Sequence, residues 1–238
     1  MLKIYQASVS NVRELKKQRK SLKRLFNKVI INSDKSSFEV LTKLYALLYS
    51  SFAETCFLKM IHTPYGFSDS YINQIVKQRN LEQQWQKCIE LAFSSVDKMS
   101  NSGEIQNKKL ILKRHLNNFI IEPSQIRNKI AHGQWAAALN SENTDVNNAT
   151  SIKISSLDFV KIDILFEVYE KIGQAVEDLI ESPHKTHFRD FYVHMSELEE
   201  LIDKTKTWTL SSKIKVINDK VERIRKIKEN RKKEKTSR

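Results

Sequence analysis

Across 238 residues there are only 4 Gly and 3 Pro. With so few breakers, and with Lys, Leu, Ile and Glu abundant, the pattern favours long helices over a sandwich, a barrel or a glycine-rich phosphate loop. Two cysteines, Cys56 and Cys88, are too few for a disulfide framework, and their apolar neighbours suit reduced, buried thiols. The opening Met1-Leu2-Lys3-Ile4-Tyr5-Gln6 lacks the apolar run of a signal peptide. The longest greasy stretch, Val40 to Ile61, is interrupted by Lys43, Glu54 and Lys59, which suits a core helix with polar edges and not a membrane span. No repeat, Walker-type loop, dinucleotide fingerprint or Gly-x-Ser-x-Gly elbow is present. An all-α, soluble, cytoplasmic protein without a cofactor is the expectation.

What is abundant is positive charge, and it is uneven. The net charge is +13. Residues 11–35 carry nine Lys/Arg against two Asp/Glu, and residues 213–238 carry twelve against four. Lys3 apart, the region between them is slightly acidic. A near-neutral middle with a basic segment at each end is the distribution a polyanion partner favours, and nucleic acid is the expected one. The other reading of such charge is a solvated face that keeps a helical protein soluble.

Apolar spacing predicts the elements. A first helix is expected over about Ser10 to Ile31, with Val12, Leu15, Leu22, Leu25, Phe26 and Val29 inward and Arg13, Lys16, Lys17, Lys20, Lys23 and Arg24 mostly off that face. A second starts at Ser36 or Ser37 and buries Phe38, Leu41, Tyr45, Leu48, Phe52 and Cys56. A third begins at Ser68-Asp69 and carries Trp85, Cys88, Ile89, Ala92, Phe93 and Val96, ending in a Ser/Asn/Gly break at Ser100 to Gly103. Ile105 to Ile121 reads as helix, Asn140 to Ser151 as a polar loop, and Ile152 to Ile154 as a short strand. The loop could line a cleft or be a surface excursion. A helix from Leu157-Asp158 to about Ser182-Pro183 comes next, then one bearing Phe188, Phe191, Met195, Leu198 and Ile202. The last helix steps through Leu210, Ile214, Ile217, Val221 and Ile224, a packing seam against the bundle or a second chain. Residues 1–205 form the expected helical domain; 206–238 form a basic helix and a disordered tail from Arg231.

One segment carries chemistry: Ile126-Arg127-Asn128-Lys129-Ile130-Ala131-His132-Gly133-Gln134-Trp135. Pro123 and Ser124 suit the first turn of a helix, and Gly133 suits the left-handed position that ends one. A guanidinium can grip phosphate oxygens with two parallel hydrogen bonds, and an imidazole titrates near neutrality, so Arg127 and His132 are the pair for holding a phosphate and moving a proton beside it. Residues five apart diverge by about 140° on an α-helix, whereas Asn128 and His132, four apart, share a face. A joint site therefore needs Arg127 to wrap round, an opened last turn, or a second copy of the motif.

This Arg-Asn-x-x-x-His run, with Ile130-Ala131 before His132 and Gly133 after it, resembles the catalytic signature of the HEPN superfamily of helical domains. The resemblance covers about ten residues. It implies an all-α HEPN-like bundle, here with extra basic helices at both ends, that pairs as a homodimer with two motifs in one cleft. It also implies a metal-independent ribonuclease in which Arg127, Asn128 and His132 are catalytic and Lys129, Gln134 and Trp135 contact substrate. The implied substrate is RNA, with tRNA and mRNA both open, in a bacterial defence or toxin–antitoxin setting with a controlling partner protein. Related toxins held by a modifying antitoxin often carry Tyr two residues after the His; Gln134 stands there, which argues against that mode of control. The alternative is a catalytically silent module that binds RNA or a protein.

A second Arg-x-x-x-x-His match, Arg189 to His194, lies in a longer amphipathic helix and lacks a terminator. His187, Asp190 and His194 there have spacing that can hold a metal, but without an EXXH-type carboxylate or a cysteine cluster they read as a polar helix face with a salt bridge. No paired acids suited to a two-metal nuclease lie near Arg127, so acid–base chemistry is favoured over metal-assisted hydrolysis.

Overall fold

In the computed structural model, residues 2–94, 96 and 102–236 are described, with side chains for all of these except 102 and 231–236. Among them eleven helices run in order: α1 (Leu2–Ile31), α2 (Lys35–Ile61), α3 (Asp69–Val76), α4 (Leu81–Ser94), α5 (Ser102–Leu116), α6 (Glu122–Ala131), α7 (Asn148–Ser155), α8 (Phe159–Glu181), the single turn α9 (Pro183–Lys185), α10 (Phe191–Thr205) and α11 (Leu210–Thr236). Among the described residues the one β pairing is an isolated bridge from Leu139 to Val146. No described helix is long and apolar enough to cross a membrane.

The core is built on α2 and α8. Tyr45, Tyr49 and Phe52 of α2 meet Phe166 and Tyr169 of α8, and α1 closes on both by stacking Phe26 on Phe159 at 3.8 Å between centroids. Such rings dominate core energetics because each buries a large apolar area. Beside them runs a polar seam. Arg19 donates to Asp163 at 2.6 Å, Lys23 reaches the other carboxylate oxygen at 2.6 Å, and the Tyr45 hydroxyl donates at 2.7 Å. Burial alone would raise the pKa of Asp163, but the Arg19 charge and these hydrogen bonds hold it below the usual carboxylate value.

Two widened turns shape the chain around the motif. The helix does not restart at Pro123: α5 passes through a π-helical turn, Asn117–Ile121, straight into α6, and no side chain caps the join. Proline cannot donate to the carbonyl four residues back, and its ring crowds that carbonyl. Phe119, four residues before Pro123, is therefore freed, and the buried Tyr49 hydroxyl donates to its oxygen at 2.5 Å. A second π turn, Thr186–Asp190, comes after Pro183, and there the fully buried Lys108 donates to the His187 carbonyl at 2.5 Å. Each extra residue rotates the next stretch of helix about its axis, which is why Phe188, expected inward, is 62% exposed while Phe191, Met195 and Leu198 are buried.

Several boundaries differ from the sequence expectation for local reasons. α1 begins at Leu2, since nothing between Lys3 and Ser10 breaks a helix, and Leu25 is exposed. α2 is capped by Asp34, whose carboxylate accepts from Ser37 N at 3.0 Å, and not by Ser36 or Ser37. The expected third helix is two, α3 and α4, because Asn80 and Gln83 form a reciprocal cap: Asn80 Oδ1 accepts from Gln83 N, and Gln83 Oε1 accepts from Arg79 N. Ile152 to Ile154 lie in α7, which Asn147 caps through Thr150 N, so the expected strand is a helix. Of the expected break at Ser100 to Gly103, Ser100 and Asn101 lie outside the described residues, while Ser102 and Gly103 open α5. The backbone of α11 is helical to Thr236, past the Arg231 where disorder was expected.

Candidate active site

α6 ends as its residue types dictate. Gly133 takes φ +78°, a conformation that costs L side chains, and its N–H bonds the Ile130 carbonyl while Gln134 N bonds the Lys129 carbonyl. This paired closure is the Schellman arrangement. His132 is the last residue before the glycine, with its own N–H on the Asn128 carbonyl at 3.1 Å, and its ring is exposed.

The geometry separates the motif's two ionisable groups. Arg127 lies against α2: its Nε donates to the buried Ser50 hydroxyl at 2.8 Å, and its terminal nitrogen pairs with the Glu54 carboxylate. His132 instead lines an open groove of about 650 Å³ with Gln125, Asn128, Lys129, Gln134, Leu139, Ser141 and Asn143. Arg127 is not part of that lining. Asn128 and His132 thus share a face and Arg127 leaves it, as four- and five-residue spacing requires.

The remaining motif residues are committed differently. Lys129 lines the groove, with its ammonium 3.4 Å from the Asn140 carbonyl. Gln134 accepts from Leu139 N at 2.7 Å and so pins the loop that forms the far wall. Trp135 is half-buried, donates to the Ile130 carbonyl at 2.9 Å and has Lys43 5.4 Å above its ring. The polar loop is short and ordered: Asn140 Oδ1 accepts from Thr144 N, Asn147 N donates to the Ala138 carbonyl, and Asn143 takes φ +56°. Ser141 and Asn143 at its tip face the groove, so of the two readings of this loop the cleft-lining one matches its position.

Ser50 and Glu54 went unread in the sequence as partners of Arg127. Their signal was Glu54 itself, a carboxylate in an otherwise apolar run, for which a nearby cation is the ordinary reason.

The second Arg-x-x-x-x-His match is closed. Arg189 is bonded to its neighbour Asp190 at 2.5 and 3.1 Å. His194 Nε2 lies 2.9 Å from Asp178 Oδ2, near enough for charge attraction, but its N–H is poorly aimed for a hydrogen bond. His187 is buried beside Lys108, and burial first, then the Lys108 charge, lowers its pKa. Among the described residues no group of three His, Cys, Asp or Glu could hold a metal. His62 is buried with Nδ1 2.9 Å from the Leu58 carbonyl, and His115 is buried and stacked on Phe119, both structural positions. Burial also raises the thiol pKa of Cys56 to about 12, which leaves it unreactive at neutral pH.

The basic first helix divides its charge between two jobs. Lys16, Arg19 and Lys23 turn toward Glu170 and Asp163 of α8, although Lys16 and Lys23 were expected to point away from the bundle. Arg13, Lys17, Lys20, Arg24 and Lys28 recur at three- and four-residue steps and are all exposed. They form a ridge along about 22 Å of helix, at about 1.5 Å per residue.

No family model, curated protein or solved structure matches the sequence.

Proposed function

We propose that the chain is a HEPN-type endoribonuclease that cuts RNA by acid–base chemistry. The observation that carries this reading is the exposed His132 at a glycine-capped helix end, on an open groove and one turn from Asn128. In the proposed reaction the 2′-oxygen of RNA attacks the adjacent phosphorus and the bond to the 5′-oxygen breaks. His132 carries the proton from the 2′-hydroxyl to the leaving 5′-oxygen, a role worth about 10²–10⁴-fold. Arg127 stabilises the charge growing on the phosphorane, and Asn128 orients His132 or a phosphate oxygen. Products are a 2′,3′-cyclic phosphate and a 5′-hydroxyl. Lys129 contacts substrate directly, Gln134 shapes the wall, and Trp135 braces the helix end through the Ile130 carbonyl.

Because Arg127 and His132 diverge on their own helix, the active unit in this proposal is a symmetric homodimer. A two-fold axis near His132 brings two copies of the motif onto one phosphodiester. The basic α1 ridge holds the RNA backbone without regard to sequence. A toxin or defence setting, with a partner protein that restrains the enzyme, fits such an activity.

The test is cleavage of RNA by purified protein in EDTA, followed by end-group analysis. Cyclic phosphate ends, and no cut where the scissile nucleotide is 2′-deoxy, are expected. Cleavage lost on chelation and recovered with added metal would refute the scheme. A second reading, a silent RNA-binding module, is favoured by one feature: the Arg127 guanidinium is engaged by Glu54. It wins if RNA shifts on a gel but stays intact.

A further inference from the structure

We infer that α11 is the docking surface for an acidic amphipathic helix of a partner protein, independently of the nuclease reading. α11 leaves the bundle. Its base is held where Leu210 and Ile214 face Val29, Ile30 and Phe38 across an apolar groove of about 330 Å³, and from Lys215 onward almost every described side chain is exposed. The apolar series Leu210, Ile214, Ile217, Val221, Ile224 nevertheless continues past the groove in alternating steps of four and three. Val221 and Ile224 are exposed, as is Ile227 beside them. A stripe at that period is the seam of a two-helix contact, and a helix standing in water without one is only marginally stable.

Charge decides the occupant. With Ile214 and Val221 at the a positions and Ile217 and Ile224 at the d positions, Lys213 and Lys220 flank one side and Asn218 and Arg225 the other. Lys228 falls at the next a position. Carboxylates lie off the seam: Glu222 pairs with Lys226 at 3.1 Å and Glu229 with Arg225 at 3.3 Å along the helix. A second copy of α11 would set cations against cations in either orientation. A partner helix with leucine or isoleucine on its seam and glutamates beside it complements both the stripe and its flanks.

The experiment uses the full chain and a fluorescein-labelled 28-residue peptide with Leu/Ile at seam positions and Glu at the flanks. Controls are its Lys-flanked counterpart and a scrambled peptide. Saturable binding of the Glu-flanked peptide alone is expected, weakened at least tenfold in Val221→Asp/Ile224→Asp. In Lys213→Glu/Lys220→Glu/Arg225→Glu, preference should pass to the Lys-flanked peptide. Lys220 and Arg225 are exposed and Lys213 is half-buried, and circular dichroism and melting check that the bundle is retained. No binding, or binding unaffected by the apolar substitutions, overturns the inference. So does a dimer, seen by sedimentation, that Val221→Asp/Ile224→Asp dissolves, because a second copy would then own the face. Displacement of the peptide by short RNA whose own affinity also needs Val221 and Ile224 would assign the stripe to RNA and overturn it equally.

Discussion

The two Arg-x-x-x-x-His segments have the same spacing and opposite fates. Around α6 the arginine is tethered to a neighbouring helix and the histidine stands on a groove. Around α10 the arginine is neutralised by Asp190 and the histidine rests beside Asp178. Each adjoins a π turn, Arg127 following one and Arg189 lying within the other, yet the turns differ in what they expose. Tyr49 takes the carbonyl that Pro123 frees and leaves the α6 end open. Lys108 takes the His187 carbonyl and fills the second turn with a buried cation beneath Tyr192 and Phe191. A spacing motif therefore leaves its histidine available for chemistry only where the helix ends in solvent and the histidine lacks a carboxylate partner.

The largest effect expected from breaking this contrast is at the histidines. His132→Ala should lower RNA cleavage by at least about 10²-fold with melting unchanged, because it removes the proposed proton carrier. His194→Ala should leave cleavage within about twofold. Initial rates on one RNA substrate decide between them, and equal losses would erase the distinction. The arginines come next. Arg127→Ala should cost about 10²-fold in rate, with Lys restoring only part of it, since a point charge cannot reproduce paired hydrogen bonds. Arg189→Ala should be silent in the same assay.

Smaller effects sharpen the comparison of the two turns. Tyr49→Phe leaves the part-buried Phe119 carbonyl without this donor and should lower stability by about 1 kcal/mol, read as a shifted denaturant midpoint at constant slope. Cleavage should fall with it, because that turn aims α6. An unchanged midpoint would mean that the freed carbonyl is satisfied in some other way. The mildest test is acid. His187 and His115 have pKa values lowered from the ordinary 6.5, by burial first and then by Lys108 and Arg114 respectively. Below pH 6.5 the unfolded chain binds protons that the folded one refuses, so stability should decline as pH falls from that point. His187→Gln should flatten the decline.

Much of the fold was legible in the sequence, and the reasons for success and failure are physical. Scarce breakers and apolar spacing sufficed for an all-α bundle, and Gly133 announced its own left-handed turn. The divergence of Arg127 from His132 came from helical pitch alone. Local signals failed where a distant side chain decides. Pro123 resembled the start of a new helix because nothing nearby reveals that Tyr49, more than seventy residues earlier, accommodates a continuous one. Arg19 lay in a run of cations whose directions depend on Asp163, far along the chain. The Asn80–Gln83 cap was readable but was overridden by the strong apolar stripe of α4. Ser141 and Asn143 gain meaning only because the loop folds to share an open groove with His132.

Co-expressed wild-type and His132→Ala subunits, isolated as mixed dimers, test the shared site most directly. If both copies of His132 serve one phosphodiester, the mixed dimers should cleave RNA far below half the wild-type rate, close to the His132→Ala homodimer. Half of the wild-type rate would mean that each subunit cuts alone and would contradict a site assembled from two chains.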